Sequence, residues 1–202
     1  MQKQHYFIDS PLSSNLIEFK VVINGLEVLI NSDEGIFSKN KLDAGTAIML
    51  ESINYPARKN ILDLGCGYGI VGLYLAKRYP DSQVFLRDIN VKAIELSKMN
   101  IQKNQLTNIQ ANFEDASLKI HASKKYDLIA FNPPIKAGKK TIFAIIKNTT
   151  FVLNKRTGKL VIVNLKSQGA PSTIKFLAEL YQDVKVIKKK AGYFVIEASK
   201  PI

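Results

Sequence analysis

Cysteine, histidine and acid are the scarce residues of this 202-residue chain. One cysteine cannot form an internal disulfide, and two well-separated histidines, His5 and His121, make no metal-ligand cluster. No metal is therefore expected. No apolar run approaches the roughly 20 residues of a membrane span, and the start, Met1-Gln2-Lys3-Gln4-His5, lacks an apolar signal-peptide core. The expectation is a cytoplasmic protein with no membrane partner. Acids are outnumbered, with 17 Asp and Glu against 29 Lys and Arg, a net charge of +12. A balance this positive suits a polyanionic partner, nucleic acid first. A hydrophobic share of 46% with 23% charged residues is that of an ordinary globular protein. The length suits one domain, 1–202, with a sizeable core.

Within that domain, residues 1–42 read as an N-terminal extension and 43–202 as a core. Leu16 to Ile23 and Leu26 to Ile30 flank Asn24-Gly25, a pair suited to a type I′ turn, which predicts a β-hairpin. Asp33-Glu34-Gly35 is turn chemistry within a loop reaching Leu42. Asp43 predicts a capped helix running to about Tyr55 and closed by Pro56. From Asn60 onward strands and helices alternate. Strands are expected over 60–64, 83–87, 109–111, 126–132 and 159–165, with helices over 70–79, 91–103, 140–153 and 172–181. Two last strands, 184–189 and 193–198, meet at Ala191-Gly192. Such alternation gives βαβ units and a mostly parallel sheet with helices on both faces, closed by an antiparallel hairpin.

In open sheets of this kind ligands bind beyond the carboxyl ends of the strands. Two motifs fall there. The first is Asp63-Leu64-Gly65-Cys66-Gly67-Tyr68-Gly69, between a strand and a helix. Its glycines allow a tight turn and let a ligand lie on bare backbone. The acid ahead of the loop suits an amine-bearing ligand more than a phosphate. Nineteen residues after Gly69, Asp88 ends the next strand, where a carboxylate can accept both hydroxyls of a ribose. Cys66 reads as a small packing residue in the loop.

The second motif is Asn132-Pro133-Pro134-Ile135. Two prolines after an apolar strand end it abruptly, because neither donates a ladder hydrogen bond. Asn132, held extended by the proline that follows, presents its amide on a stiff backbone. Lys136, Lys139 and Lys140 come next. With Lys39, Lys41 and Lys166 they can ring the same sheet edge and attract phosphates. Lys188-Lys189-Lys190 reads instead as solvated surface.

The glycine loop and Asp88 resemble those of the class I S-adenosylmethionine-dependent methyltransferases, a Rossmann-like α/β fold with a mostly parallel seven-stranded sheet. That resemblance implies that Gly65, Gly67 and Gly69, with Cys66, pack on the cofactor. Asp88 and Ile89 would meet its ribose, and Asp63 would reach its methionine amine through water. Near the adenine, Asp115 is the first candidate and Glu114 the second. Asn132-Pro133-Pro134 is similar to the motif of amino-methyltransferases that act on planar NH2 groups. There the Asn132 amide oxygen and the Pro133 carbonyl would each accept one NH hydrogen, aiming the nitrogen lone pair at the methyl.

The stretch Asn132 to Lys139 narrows the likeness, together with Gly35-Ile36-Phe37-Ser38-Lys39, Leu42-Asp43-Ala44-Gly45-Thr46, Leu62 to Gly69 and Lys166 to Ser172. Together they resemble the RsmC-like, small-subunit ribosomal RNA guanine-N2 methyltransferases, as a short single-domain member. That implies guanine N2 of ribosomal RNA as target, S-adenosylmethionine as cofactor, S-adenosylhomocysteine as product, and ribosomal RNA or the small subunit as partner. Phe37, Lys39, Lys136, Lys139 and Lys166 would meet the RNA. Ile135 departs from the aromatic residue that stacks on the target in the adenine and glutamine enzymes, and Phe37 or Tyr68 could supply the stack. An N-methyltransferase of adenine or a protein glutamine, and a non-catalytic RNA-binding module of the same fold, are the other readings.

Overall fold

The computed structural model describes residues 16–33, 42–56 and 59–202. The expected hairpin forms from β1 (Ile17–Ile23) and β2 (Leu26–Ser32), paired antiparallel with Ile23 opposite Leu26. Asn24 and Gly25 have φ of 48° and 79°, the two left-handed residues that a type I′ turn requires. After α1 (Ala44–Ser52) comes β3 (Asn60–Leu64), then α2 (Ile70–Arg78), β4 (Gln83–Asp88), α3 (Val91–Lys103) and β5 (Ile109–Phe113). The second half holds β6 (Leu128–Phe131), α4 (Lys139–Val152), β7 (Lys159–Leu165), α5 (Ala170–Ala178), β8 (Tyr181–Lys190) and β9 (Tyr193–Pro201). Short 3-10 turns, Ile135–Ala137 and Lys166–Gln168, follow β6 and β7.

The main sheet has seven strands in the order β5-β4-β3-β6-β7-β9-β8. β3 to β7 run parallel, and β9 is antiparallel to both its neighbours. This is the Rossmann-like methyltransferase architecture with its antiparallel C-terminal hairpin. The chain builds outward from β3 to β5, then returns to lay β6 on the other side of β3. The switch point between β3 and β6 opens a crevice at their carboxyl ends.

Strand alternation divides the core. Ala130, Val161, Val163 and Val195 pack on one face with residues of α1, α2 and α3. Leu62, Leu64, Ile129, Phe131 and Ile162 pack on the other with Ile146 of α4 and Leu177 of α5. Apolar contacts of this kind are non-directional, so they fix the layers, while specific polar contacts fix the register. Gly72 is an example of tight layering. A Cβ there would lie 2.3 Å from Leu86 Cδ1, so only a glycine lets α2 seat this closely on β4.

Several boundaries differ from expectation. α1 stops at Ser52, because Ile53 turns extended (φ −77°, ψ 99°) to bury its side chain completely, while its N–H still donates to Met49 O. β6 starts at Leu128, since Tyr126 bridges Leu153 instead of continuing the ladder with β3. α5 begins two residues early, at Ala170, and ends at Ala178. Left-handed Gly169 (φ 110°) breaks the preceding 3-10 turn, and Pro171 fits the first helical turn. β5, β8 and β9 run longer than expected: the β5 ladder continues through exposed Asn112 and Phe113, and β8 and β9 stay paired out to Tyr181 opposite Pro201, both buried.

The hairpin packs against α2 and α3 and contributes Val21, Ile23, Val28 and Ile30 to the first core cluster. Its free edge is closed by asparagines. Asn104 Oδ1 accepts from Leu29 N and its Nδ2 donates to Leu29 O. Asn100, fully buried, does the same for Asn31 at 2.6 and 2.9 Å, and also donates to Tyr68 O in the glycine loop. These side chains replace a missing strand neighbour and tie the hairpin to the loop. Asn100→Ala removes three buried hydrogen bonds at once, each loss costing about 1–3 kcal/mol. Denaturant unfolding should show a loss on the order of 3 kcal/mol or more; a loss under about 1 kcal/mol would refute this pinning.

Candidate functional site

The parallel register brings the two motifs side by side. Leu64 pairs with Arg87 on one side and Phe131 on the other, so Gly65, Asp88 and Asn132 leave the sheet as neighbours. The glycine loop is hung from the strands. Cys66 N donates to Arg87 O and Gly69 N donates to Cys66 O. Ser97 Oγ, on α3, donates to Gly67 O.

Its glycines divide into two kinds. Gly65, Gly67 and Gly69 all have positive φ. A Cβ on Gly67 would meet nothing within 4 Å, and one on Gly65 only a Phe131 ring carbon at 3.7 Å. Those two open outward and leave bare backbone for a ligand. Gly69 turns inward, where a Cβ would press on Leu86 and on Ser97 Oγ at 2.9 and 3.0 Å. Cys66 is buried with its Sγ 3.6 Å from Ser97 Oγ, and burial pushes its thiol well above the ordinary range. It packs within the loop.

Asp88 closes the loop from the side. Its Oδ2 accepts from Gly67 N at 2.9 Å and its Oδ1 from Asn90 N at 2.8 Å, and the carboxyl is raised by burial. Ile89, beside it, is half-buried. At the end of β5, Phe113 pairs with Asp88 in register and is 57% exposed, an apolar ring at the same edge that the sequence reading passed over. Of the two acids that follow it, Glu114 is buried. It accepts from His121 N and lies 2.9 Å from His121 Nδ1, with Arg87 Nε at 3.7 Å. Asp115 is half-buried and holds a local turn through Ser117 N and Oγ. Of the two, Asp115 keeps the more open carboxylate.

Asp63 sits deeper than its neighbours, 2% exposed, with Oδ2 accepting from Gly72 N at 2.9 Å. It pins α2 to β3 beneath the loop. Burial, against the Gly72 hydrogen bond and aided by the Asp88 charge, pushes its carboxyl up to about 8.

Asn132 is half-buried and its amide is held firmly. Nδ2 donates to Thr46 Oγ1 at 2.8 Å and to Asp43 Oδ2 at 3.1 Å. Pro133 is buried and Pro134 exposed, with Ala137 N donating to Pro134 O. The Ile135 side chain, like Phe37 and Lys39, lies outside the described residues. Tyr68 does not offer a stacking face. It is 5% exposed and packs edge-on against Phe19 at 6.1 Å, because the loop alternates open glycines with inward side chains.

Lys136, Lys139 and Lys166 are all exposed at the carboxyl ends of adjacent strands, Lys139 with its Nζ 5.1 Å from the Phe143 ring. Lys188 to Lys190, read as solvated surface, are exposed and also stand at this edge. They end β8, where Lys190 pairs with Tyr193, itself opposite Leu165 of β7. Sequence spacing gave no hint, because the antiparallel insertion of β9 is what brings the end of β8 here.

A family model described as methyltransferase small domain matches residues 27–197. The chain belongs to that family. Its class is S-adenosylmethionine-dependent methyltransferase, and the loop fits the cofactor: two outward glycines before open space, flanked by Asp88. The chain is 38% identical to the uncharacterized protein YbxB of Bacillus subtilis (strain 168), over 98% of both chains. It is 34% identical to ribosomal RNA small subunit methyltransferase C of Pasteurella multocida (strain Pm70), over 59% of this chain and 36% of that protein. The fold matches the T. thermophilus 16S rRNA N2 G1207 methyltransferase (RsmC), solved with AdoMet and guanosine. The TM-score is 0.80 at 24% identity, covering 95% of this chain and 52% of that one. The chain thus spans about a third to a half of these RsmC relatives. Among the described residues no helix is long and apolar enough to cross a membrane, and no group of three or more His, Cys, Asp or Glu could hold a metal ion.

A site residue that the sequence reading missed is Thr46, and Asp43 was read only as a helix cap. Both stand in the Leu42 to Thr46 motif, but their link to Asn132 crosses 86 and 89 residues.

Asp63 gives a pH signature. Between pH about 4 and about 8 the folded protein keeps a proton that the unfolded chain has lost, so stability falls as pH rises through that window. Asp63→Asn keeps an acceptor for Gly72 N and removes this contribution. Chemical denaturation at pH 5 and pH 8 should show a smaller loss in the variant than in the parent; equal losses would mean that Asp63 is ionised throughout.

Proposed function

We propose that this protein methylates the exocyclic N2 amine of a guanine in small-subunit ribosomal RNA. The observation that carries this reading is the Asn132 amide. Both hydrogens of Nδ2 are engaged by Thr46 and Asp43, so Oδ1 is the atom left to accept from a substrate amine.

An exocyclic amine on a purine is a poor nucleophile, because its lone pair is delocalised into the ring. Asn132 Oδ1 and the Pro133 carbonyl would each accept one N–H. This turns the lone pair out of the ring plane toward the methyl and supports the positive charge that grows on nitrogen. The proline pair makes that geometry stiff. S-adenosylmethionine supplies the methyl from a sulfonium and leaves as S-adenosylhomocysteine. Gly65, Cys66 and Gly67 would cradle it, Asp88 with Ile89 would hold its ribose, Asp115 would meet its adenine, and Asp63 would reach its amine through water. The proton left on the methylated nitrogen passes to water, so no strong base need sit in the site.

Charge supports an RNA substrate. The net +12 and the exposed Lys136, Lys139, Lys166 and Lys188 to Lys190 lie where a polyphosphate strand would cross the crevice. The target base would have to leave its stack to reach Asn132. Phe37 and Lys39 are proposed to complete that surface. The relatives' own names, with their small-subunit ribosomal RNA and guanine-N2 activity, favour guanine over adenine or glutamine.

Labelled methyl transfer to ribosomal RNA and to small subunits, followed by mapping of the modified base, tests the reading. N2-methylguanine is expected; label on adenine or on protein glutamine would overturn it. Asn132→Ala should abolish transfer while cofactor affinity stays within a few-fold, and full activity would refute the amide's role. Asp88→Ala should weaken cofactor binding by calorimetry about 10- to 100-fold, the worth of one hydrogen bond to a charged group. Unchanged affinity would remove the ribose contact. RNA affinity should fall steeply with salt, and a flat response would remove the lysine surface.

A further inference from the structure

The carboxylate of Asp43 does more than cap α1. Its Oδ2 accepts from Thr46 N at 2.8 Å, from Thr46 Oγ1 at 3.2 Å and from Asn132 Nδ2 at 3.1 Å. A carboxylate oxygen can only accept, so the neighbouring group of Asn132 must be the NH2 and not the carbonyl. The Thr46 hydroxyl spends its proton on Asp43 and offers a lone pair to the second Asn132 hydrogen. Every donor in this triangle has an acceptor, and a flipped Asn132 amide would set oxygen against oxygen at 3.1 Å. The packing is built to admit it. Residue 45 is glycine, and a Cβ there would lie 3.1 Å from Asp43 Oδ2 and 2.8 Å from Tyr193 Cε1.

We propose that Asp43, acting with Thr46, is the positioning residue of methyl transfer: it locks the Asn132 amide with its oxygen toward the substrate amine and polarises that oxygen as charge develops. This rests on the role of Asn132 proposed above. The negative charge beside Nδ2 draws electron density through the amide onto Oδ1, and a hydrogen-bonded chain in a half-buried setting strengthens each member. Oδ1 then meets the growing charge on the substrate nitrogen as a stronger acceptor without moving, and no proton changes hands between Asp43 and Asn132. Orientation follows as well. A free asparagine would spend part of its time presenting NH2 to an amine, which repels it, and the locked one does not. The triangle also accounts for an amide rather than a carboxylate at position 132. A carboxylate there would face Asp43 at hydrogen-bond distance with no proton between them.

Variants at three positions test this, with ribosomal RNA as methyl acceptor and calorimetric S-adenosylhomocysteine binding as the independent readout. Asp43→Ser keeps a hydroxyl cap for α1 but cannot reach Asn132, whereas Asp43→Asn keeps an oxygen at that reach. Asp43→Ser should lower kcat at least tenfold relative to Asp43→Asn, with KM and S-adenosylhomocysteine affinity within about threefold. Thr46→Val should lower kcat at least tenfold, and Thr46→Ser, which returns the hydroxyl, should recover most of it. Asn132→Asp should lose at least a hundredfold. Parental kcat in Asp43→Ser or in Thr46→Val would overturn the inference. Should Asp43→Ser fail to fold, the Thr46 pair decides it. Parental activity in Asn132→Ala would instead sink the function proposed for the amide.

Discussion

The parallel register of β3 with both β4 and β6 is the constraint on which the site depends. Leu64 has Arg87 on one side and Phe131 on the other. Once that register is set, the next residues of three strands emerge at one level, and they are Gly65, Asp88 and Asn132. A slip of one residue in β4 or β6 would reverse which side chains face each layer. It would drive Phe131 or Leu86, both buried, into the opposite cluster. The apolar core therefore fixes the alignment of polar groups that never touch it. The same register sets Lys136 and Lys166 on one rim, since β6 and β7 are also parallel neighbours.

On that frame, the polar groups share work between folding and chemistry. Asp63 anchors α2 through Gly72 beneath the loop that it introduces. Asp88 holds Gly67 N with one oxygen and Asn90 N with the other, so the cradle keeps its shape around the carboxylate. Asn100 fastens the hairpin and the glycine loop with one amide. The hairpin thereby becomes part of the site's foundation. Asp33, at its end, is buried and pairs with Lys92 at the start of α3 at 2.8 Å, which brings β2 to the rim where Asp88 and Asn90 lie.

The sequence revealed the elements and the two motifs because those signals are local. Helix caps, turn glycines and strand-ending prolines act over a few residues, and β3, α3 and β7 match their expected limits residue for residue. What sequence could not show depends on tertiary closure. Asp43 reads as a cap from its neighbours alone, and only the fold brings Asn132 to it. Tyr68 looks available beside open glycines, yet the loop's positive φ angles turn its ring under the hairpin onto Phe19. Lys188 to Lys190 look remote from Lys166 until β9 inserts between β7 and β8. Each miss is a contact whose partners are far apart in the chain or are reached through a strand of opposite direction.

Asp43 shows why fold and chemistry are hard to separate in such a site. A helix start needs an acceptor for its unpaired N–H groups, and an asparagine or serine would serve that need about as well as aspartate. What distinguishes aspartate is its charge and its inability to donate, and neither property helps a cap much beyond its interaction with the helix dipole. Both matter to Asn132, whose amide has two chemically opposite ends and must present one of them. The helix therefore supplies stability for a carboxylate, and the carboxylate supplies direction for an amide 89 residues away. An acceptor shared in this way ties the orientation of Asn132 to the start of α1, so the amide is already oriented before any substrate arrives.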